Sequence, residues 1–349
     1  MSRVLVTGGT GVVGSALVQE LRDDFEVACL LHTRALGTGC EDVVSFRGDL
    51  TRPRLGLDGA EYARLAGDLA AIVHCAAVID FNVDAETIHT LNVQGTSRVL
   101  DLAADAGVPL YYTSSAFITR TDLLDPAQGG AIAGMHEYLR SKLAAEEAVR
   151  TRGVPYAIAR PPLLFSDTRT GLITREQAFH KIIRGVVTGK LPFLPWSPAT
   201  RIDFMPQDVV ARALAALVRA GAADGAEHWV TAGDAALTAQ AMLDTCVAVM
   251  AGHGEELVPP RFLDLDVIQR LIVPAFRDVL PELDRQRFDQ LVSLAVVFGT
   301  EHPFPSSVAD IPGGPPPPTE GELRDVLALT IEKRWARVRA SARRLAEVG

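Results

Sequence analysis

Tyr138 and Lys142 stand four residues apart in Glu137-Tyr-Leu-Arg-Ser-Lys-Leu143. On a helix that spacing is one turn, so the phenol and the ammonium share a face. A nearby ammonium favours phenolate, which suits a tyrosine for proton transfer near neutral pH. Alone, the pair fits a plain surface contact equally well. What raises its weight is the upstream stretch Leu110-Tyr-Tyr-Thr-Ser-Ser-Ala-Phe117, an apolar run that ends in hydroxyls. A strand ending this way puts Thr113, Ser114 and Ser115 at the carboxyl edge of a sheet, where open α/β folds bind ligands. The alternative is that Thr113 and Ser114 only satisfy backbone groups at the strand end.

A second chemical feature opens the chain. Val4-Leu-Val-Thr-Gly-Gly-Thr-Gly-Val-Val-Gly14 is an apolar run that breaks into glycines at 8, 11 and 14. Glycine permits a tight turn, lets backbone amides approach a pyrophosphate, and lets the next helix pack close to the sheet. The free N–H groups and dipole of that helix then favour an anion. Thr7, Gly8, Gly11, Val12, Val13 and Gly14 are therefore expected to hold a dinucleotide. About 20 residues beyond such a loop, an Asp or Glu would bind the adenosine ribose hydroxyls. This chain offers Arg34 there, and a guanidinium pairs with a 2′-phosphate. NADPH is expected over NADH, against the plainer reading of a solvated arginine.

These groups need a scaffold. Apolar runs at Arg3–Thr7, Phe25–Leu31, Val43–Phe46, Ala70–Ala76, Val108–Thr113 and Pro155–Arg160 read as strands. Helical patterns lie between them at Ser15–Leu21, Ala85–Ala106 and Glu137–Thr151. That alternation predicts an α/β fold of Rossmann type, a doubly wound parallel sheet, with a mostly helical C-terminal substrate or cap region. Residues 1–165 are expected to form the cofactor-binding core, 166–235 substrate-binding elements with the remaining strands, and 236–349 the helical region. Gln207–Arg219 and Thr238–Met250 read as helices, and Glu227–Val230 as a short strand.

The 349 residues are 48% hydrophobic with a net charge of -9. The core is large, and the broad basic field that non-specific nucleic-acid binding needs is missing. Cys29, Cys40, Cys75 and Cys246 have neither metal-ligand spacing nor a disulfide framework, so no metal is expected and a reducing compartment fits. No signal peptide and no integral membrane segment are read, which points to a cytoplasmic protein.

The order of glycine loop, serine strand and Tyr-x-x-x-Lys, with Gly-x-x-Gly-x-x-Gly spacing, resembles the extended branch of the short-chain dehydrogenases/reductases. The resemblance implies that Ser115, which precedes Ala116, bonds the reacting oxygen, with Ser114 as helper. Tyr138 would give or take its proton, and Lys142 would hold the nicotinamide ribose. Asn92, in Asn92-Val-Gln-Gly-Thr96, would brace the site. Asp49 with Leu50 would meet the adenine, and Ala76 and Ala77 would let the cofactor pass close by.

Within that branch, His74-Cys-Ala-Ala-Val-Ile-Asp-Phe81 looks like the His-x-Ala-Ala-x-Val-x-Phe of fatty acyl-CoA reductases and terminal thioester-reductase domains. Arg160-Pro161-Pro162 and Ile202-Asp-Phe-Met-Pro-Gln-Asp-Val209 resemble the same group, which puts Pro161 and Pro162 beside the cofactor. The likeness covers about residues 1–235. It departs at Met135-His-Glu137, where the group carries an Asn-x-Tyr context. It implies NADPH-dependent reduction of an acyl thioester to an aldehyde, and leaves open the further step to alcohol. With no adenylation or carrier domain read in the chain, the substrate is expected in trans, on CoA or on an acyl or peptidyl carrier protein.

Phe117, Phe193 and Trp196 are candidate substrate contacts, though proline-rich loop packing accounts for the last two as well. Thr319–Val348 carries an apolar stripe through Leu323, Leu327, Ile331, Trp335, Val338, Ala342 and Leu345, and a basic end at Lys333, Arg334, Arg337, Arg339, Arg343 and Arg344. It reads either as a docked helix or as a docking surface for an acidic carrier or for CoA phosphates. Two other functions share the motifs: a ketone/aldehyde or hydroxysteroid-like alcohol dehydrogenase, and a non-catalytic NADPH-binding sensor or scaffold. The chain is expected to be a monomer or a homodimer.

Overall fold

Strands that are apolar along their whole length can be covered on both faces, and the runs above build such a sheet. The computed structural model describes residues 2–80, 83–120, 133–264, 267, 268, 270 and 297–348, with the backbone alone for 133–134 and 335–348. The chain divides into two compact units.

The first unit comprises Met1–Pro162, Gln207–Thr231 and Pro305–Pro317. Its elements are β1 (Arg3–Thr7), α1 (Val12–Leu21), β2 (Glu26–Leu31), β3 (Val44–Arg47), α2 (Gly59–Asp68), β4 (Leu69–His74), α3 (Ala85–His89), α4 (Gly95–Ala106), β5 (Leu110–Thr113), α5 (Ala133–Thr151), β6 (Tyr156–Arg160), α6 (Gln207–Ala220) and β7 (Asp224–Trp229). The seven strands pair in parallel in the order β7-β6-β5-β4-β1-β2-β3. The order reverses between β1 and β4, and that switch point opens the crevice in which such folds bind ligands.

Leu5, Ala28, Ile72, Leu110 and Ile158, one from each of five adjacent strands, are fully buried in one apolar cluster under Leu65, Val99, Leu100 and Leu102. Burial of each Leu or Ile contributes roughly 1.5–3 kcal/mol. Asp58 caps α2 by accepting from Ala60 N and Glu61 N, and Asp84 caps α3 by accepting from Thr87 N. Gly107 ends α4 in the left-handed region, at φ 66°.

The pattern Ala85–Ala106 reads as one helix, but the structure breaks it. Between α3 and α4 the chain widens into a π-helical turn, Thr90–Gln94, closed by Gly95 N on Thr90 O. A π-turn rotates the side chains that follow, and such turns gather at functional sites. Here it carries Asn92.

The second unit comprises Leu163–Pro206, Ala232–Phe304 and Pro318–Gly349. Leu163–Phe165 pairs in parallel with Phe204–Pro206, and Arg201–Ile202 lies between Leu237–Thr238 and Gly299–Thr300. Phe165, Phe179 and Phe204 pack ring to ring at 4.8–5.6 Å. In the helix Glu320–Val348, Leu323, Leu327 and Ile331 are buried, and Arg334 pairs with Glu176 at 2.8 Å. The side chains of Trp335, Val338, Ala342, Leu345, Arg337, Arg339, Arg343 and Arg344 lie outside the described residues. No helix among the described residues is long and apolar enough to cross a membrane.

Candidate active site

The turn after β1 cannot tolerate side chains. Gly8 sits at φ 74°, and a Cβ there would lie 2.7 Å from Ala76 N. At Gly14 a Cβ would lie 2.1 Å from Gly8 O, so α1 approaches the loop more closely than any other residue allows. Gly11 N donates to Gly8 O at 2.8 Å, and Val12 and Val13 are buried behind the turn. Gly11 caps α1 without a side-chain hydrogen bond, unlike the Asp caps of α2 and α3. Uncapped N–H groups above a glycine cradle suit a pyrophosphate, so these residues fit a nicotinamide dinucleotide. Ala76 and Ala77 follow β4 on the far side of the switch point.

At the other end of the crevice, Arg34 is exposed after β2 and makes no ion pair with a described carboxylate. Asp49 accepts from Thr51 N at 2.8 Å and from Thr51 Oγ1 at 2.7 Å. Burial would raise its pKa, but those bonds, with His32 and Arg52, hold the carboxyl below its usual value. Leu50 packs on Gly95, where a Cβ would come within 3.3 Å of it.

Past β5, Ser115 Oγ accepts from Phe117 N at 3.3 Å and faces the Tyr138 phenol. Tyr138 is buried, and burial pushes its pKa up to about 12, with the Ser115 hydroxyl opposing. The phenol therefore keeps its proton at neutral pH. Ser114 Oγ is buried with no hydrogen-bond partner among the described residues. A buried hydroxyl left without a partner costs about 1–3 kcal/mol, which a bound oxygen would recover. Phe117 is buried in the 3-10 turn Ala116–Thr119, and Pro161 O accepts from Ala116 N at 2.9 Å beside the buried Pro162.

Lys142 is buried, and its ammonium donates to Thr113 O at 2.8 Å and to Tyr112 Oη at 3.3 Å. Burial lowers its pKa to about 8, with Cys75 and Glu146 opposing. The four-residue spacing thus puts phenol and ammonium on one face, but each turns to a different partner, Tyr138 to Ser115 and Lys142 to β5. Asn92 touches neither reacting side chain. Its Oδ1 accepts from Val78 N at 2.8 Å, and its Nδ2 donates to Val78 O at 3.1 Å and Ser141 Oγ at 3.0 Å. It ties the loop after β4 to α5.

Phe193 and Trp196 belong to the second unit. Phe193–Leu194 pairs with Arg261–Phe262, and Trp196 is buried with Gly299 against its ring. Phe81 lies outside the described residues.

Three residues with no role assigned from sequence stand at the centre of the site: His74, Thr96 and Tyr112. The pairing register aligns Thr7, His74 and Tyr112 across β1, β4 and β5. In the sequence Thr7, His74 and Tyr112 are each a polar side chain at the end of an apolar run, with nothing to say that they stand side by side. Beneath Lys142, Arg160 forks onto Glu146 at 2.9 and 2.7 Å and reaches Glu227 at 2.5 Å, while Arg150 holds both carboxylates at 2.6 Å.

The pattern of an NAD-binding family described as male sterility protein matches residues 38–214, half of the chain. The chain belongs to that family. As a member it is an extended short-chain dehydrogenase/reductase, an oxidoreductase that uses a nicotinamide cofactor. It is 31% identical over 234 residues to the isonitrile lipopeptide synthase of Streptomyces coeruleorubidus, a match covering 57% of this chain and 16% of that protein. The chain therefore spans about a sixth of the length of that relative. Its fold is similar to the terminal R domain of the myxalamid PKS-NRPS pathway, at TM-score 0.74, 22% identity, and 96% and 91% coverage of the two chains. The reductase (R) domain of a nonribosomal peptide synthetase from Mycobacterium tuberculosis follows at 0.64 and 20%, with 95% and 92% covered.

Proposed function

We propose that this family member is an NADPH-dependent reductase of an acyl thioester, presented on CoA or on a carrier protein, and that it releases an aldehyde. The observation that carries the reading is the grouping of Ser115 with the buried Tyr138 at the carboxyl edge of the sheet, beside the buried ammonium of Lys142, which donates to Thr113 O at 2.8 Å. The named relatives support the thioester, since the proteins and domains they describe belong to peptide- and polyketide-assembling synthetases.

When bound, the nicotinamide supplies the hydride. Ser115 and Tyr138 then donate hydrogen bonds to the carbonyl oxygen on which negative charge develops, with the unpartnered Ser114 hydroxyl as a further donor. Tyr138, protonated at neutral pH, is built to give its proton to that oxygen. The thiohemiacetal that results breaks its C–S bond to give aldehyde and free thiol. Lys142 holds the cofactor ribose, Asn92 is a positioning residue, and Arg34 reads the 2′-phosphate. Thr7, Gly8, Gly11, Val12, Val13, Gly14, Asp49, Leu50, Ala76, Ala77, Pro161 and Pro162 complete the proposed cofactor site.

Tyr138→Phe and Ser115→Ala test the assignment. Each is expected to bind NADPH as the parent does and to lose about 10²–10⁴-fold in turnover. A Tyr138→Phe enzyme with undiminished turnover would overturn it. The same side chains suit ketones and free aldehydes, so product analysis with both substrate classes separates the two reductase readings.

A further inference from the structure

Thr7 and His74 join with Thr96 of α4 into one buried string of hydrogen bonds, against which the Tyr112 ring is stacked. Thr7 Oγ1 meets His74 Nδ1 at 2.6 Å, and His74 Nε2 meets Thr96 Oγ1 at 3.0 Å. Thr96 Oγ1 in turn donates to Asn92 O at 2.6 Å. The rings of His74 and Tyr112 stack at 5.7 Å and 29°. Every one of these side chains is at most 1% exposed.

The directions of the bonds follow from the proton count. The one hydroxyl proton of Thr96 goes to Asn92 O, so His74 must donate to Thr96. His74 therefore carries its proton on Nε2 and accepts from Thr7 on Nδ1. The Tyr112 oxygen faces Lys142, whose ammonium lies 3.3 Å from Tyr112 Oη and 4.9 Å from the ring centre.

We propose that Tyr112 is a positioning residue for Lys142: its hydroxyl, on a ring stacked against His74, holds the ammonium together with Thr113 O. The inference deepens the proposed function and rests on its reading of Lys142 as a cofactor-holding group. Because both oxygens accept from the charged form, they keep the ammonium protonated in a site that burial disfavours. The other titratable groups facing Lys142 are Tyr138 and Glu146 on its own helix and His74 and Cys75 from β4 and its exit.

Tyr112→Phe keeps the ring and its stacking on His74 and removes only the oxygen. Two readouts follow Lys142. The first is reductive methylation of the cofactor-free protein across pH 6–10 with peptide mass spectrometry, in which Lys142 is one of only four lysines to resolve. Lys142 should become reactive near pH 8 in the parent and about one pH unit lower in the variant. The second is NADPH titration over the same range. Affinity should fall as Lys142 loses its proton, start falling about one unit earlier in the variant, and be about 2-fold weaker at pH 7 and about 5-fold weaker at pH 8.

Tyr112→Met, which removes the oxygen and fills the space with an unbranched apolar side chain, should shift both curves the same way and decides the question if Tyr112→Phe does not fold. Labelling and affinity curves that coincide with the parent in either variant overturn the proposal. A shifted labelling curve with unchanged NADPH affinity leaves the hold of Tyr112 on Lys142 standing and removes Lys142 from the cofactor site.

Discussion

His74 makes the stability of the first unit depend on acid in a way that can be worked out in advance. The imidazole is fully buried between Thr7 and Thr96, and burial first, then the Lys142 ammonium, lowers its pKa to about 3. In the unfolded chain it titrates near 6.5. Between those values the unfolded chain binds a proton that the folded chain refuses, so stability falls as pH falls. The loss is about 1.4 kcal/mol per pH unit, or about 2 kcal/mol at pH 5, with a ceiling near 5 kcal/mol at pH 3. The contribution is complete above pH 6.5. His74→Gln cannot titrate, so the gap between parent and variant should narrow by about 1.4 kcal/mol for each unit from pH 6.5 down to 4.5. Urea unfolding at half-unit steps, followed by tryptophan fluorescence and in the far ultraviolet, reads that gap. Parallel curves for the two proteins would refute a neutral, buried His74.

Gly14→Ala drives a Cβ to within 2.1 Å of Gly8 O, so the turn must open; NADPH affinity should drop at least about 100-fold and stability by about 1–3 kcal/mol. Calorimetric titration and thermal unfolding check both, and an unchanged dissociation constant would contradict the cradle. Arg34→Ala should weaken NADPH about 10- to 100-fold and leave NADH as it was, since a charge-assisted bond to phosphate is worth about 1.5–3 kcal/mol. Arg160→Met leaves the fully buried Glu146 with Arg150 alone and should cost about 3–5 kcal/mol in urea unfolding, while a loss under 1 kcal/mol would show that Arg150 suffices.

The sheet was legible because a parallel strand buried on both faces leaves a continuous apolar run, and β1 falls on Arg3–Thr7 as read. Strand ends elsewhere move by one to three residues, most at β7, read as Glu227–Val230 and found at Asp224–Trp229, where backbone hydrogen bonding outlasts or falls short of the apolar run. The glycine loop was legible for a related reason: three positions where a Cβ would crowd or strain the backbone leave three glycines in the chain. The π-turn was not, because Thr90–Gln94 carries no residue that breaks a 3.6 period, and its widening follows from what Asn92 must reach. Nor was the grouping of His74, Thr96 and Tyr112. Strand register is a non-local property, and no spacing within the chain says that residues 7, 74 and 112 stand side by side. The spacing of Tyr138 and Lys142 likewise gave a common face but not the partners, which come from β5 and the turn beyond it. The second unit draws on three separate stretches of chain, and only tertiary packing joins them.

Whether Ser115, Tyr138 and Lys142 serve hydride transfer to a thioester carbonyl is decided by following NADPH oxidation and free-thiol release together, with a panel of acyl-CoA and acyl-carrier thioesters beside the matching aldehydes and ketones. Thiol should appear as NADPH disappears, at least one NADPH oxidised per thiol, and Tyr138→Phe should stop both. NADPH oxidation confined to aldehydes or ketones, with no thiol released from any thioester, would contradict that role.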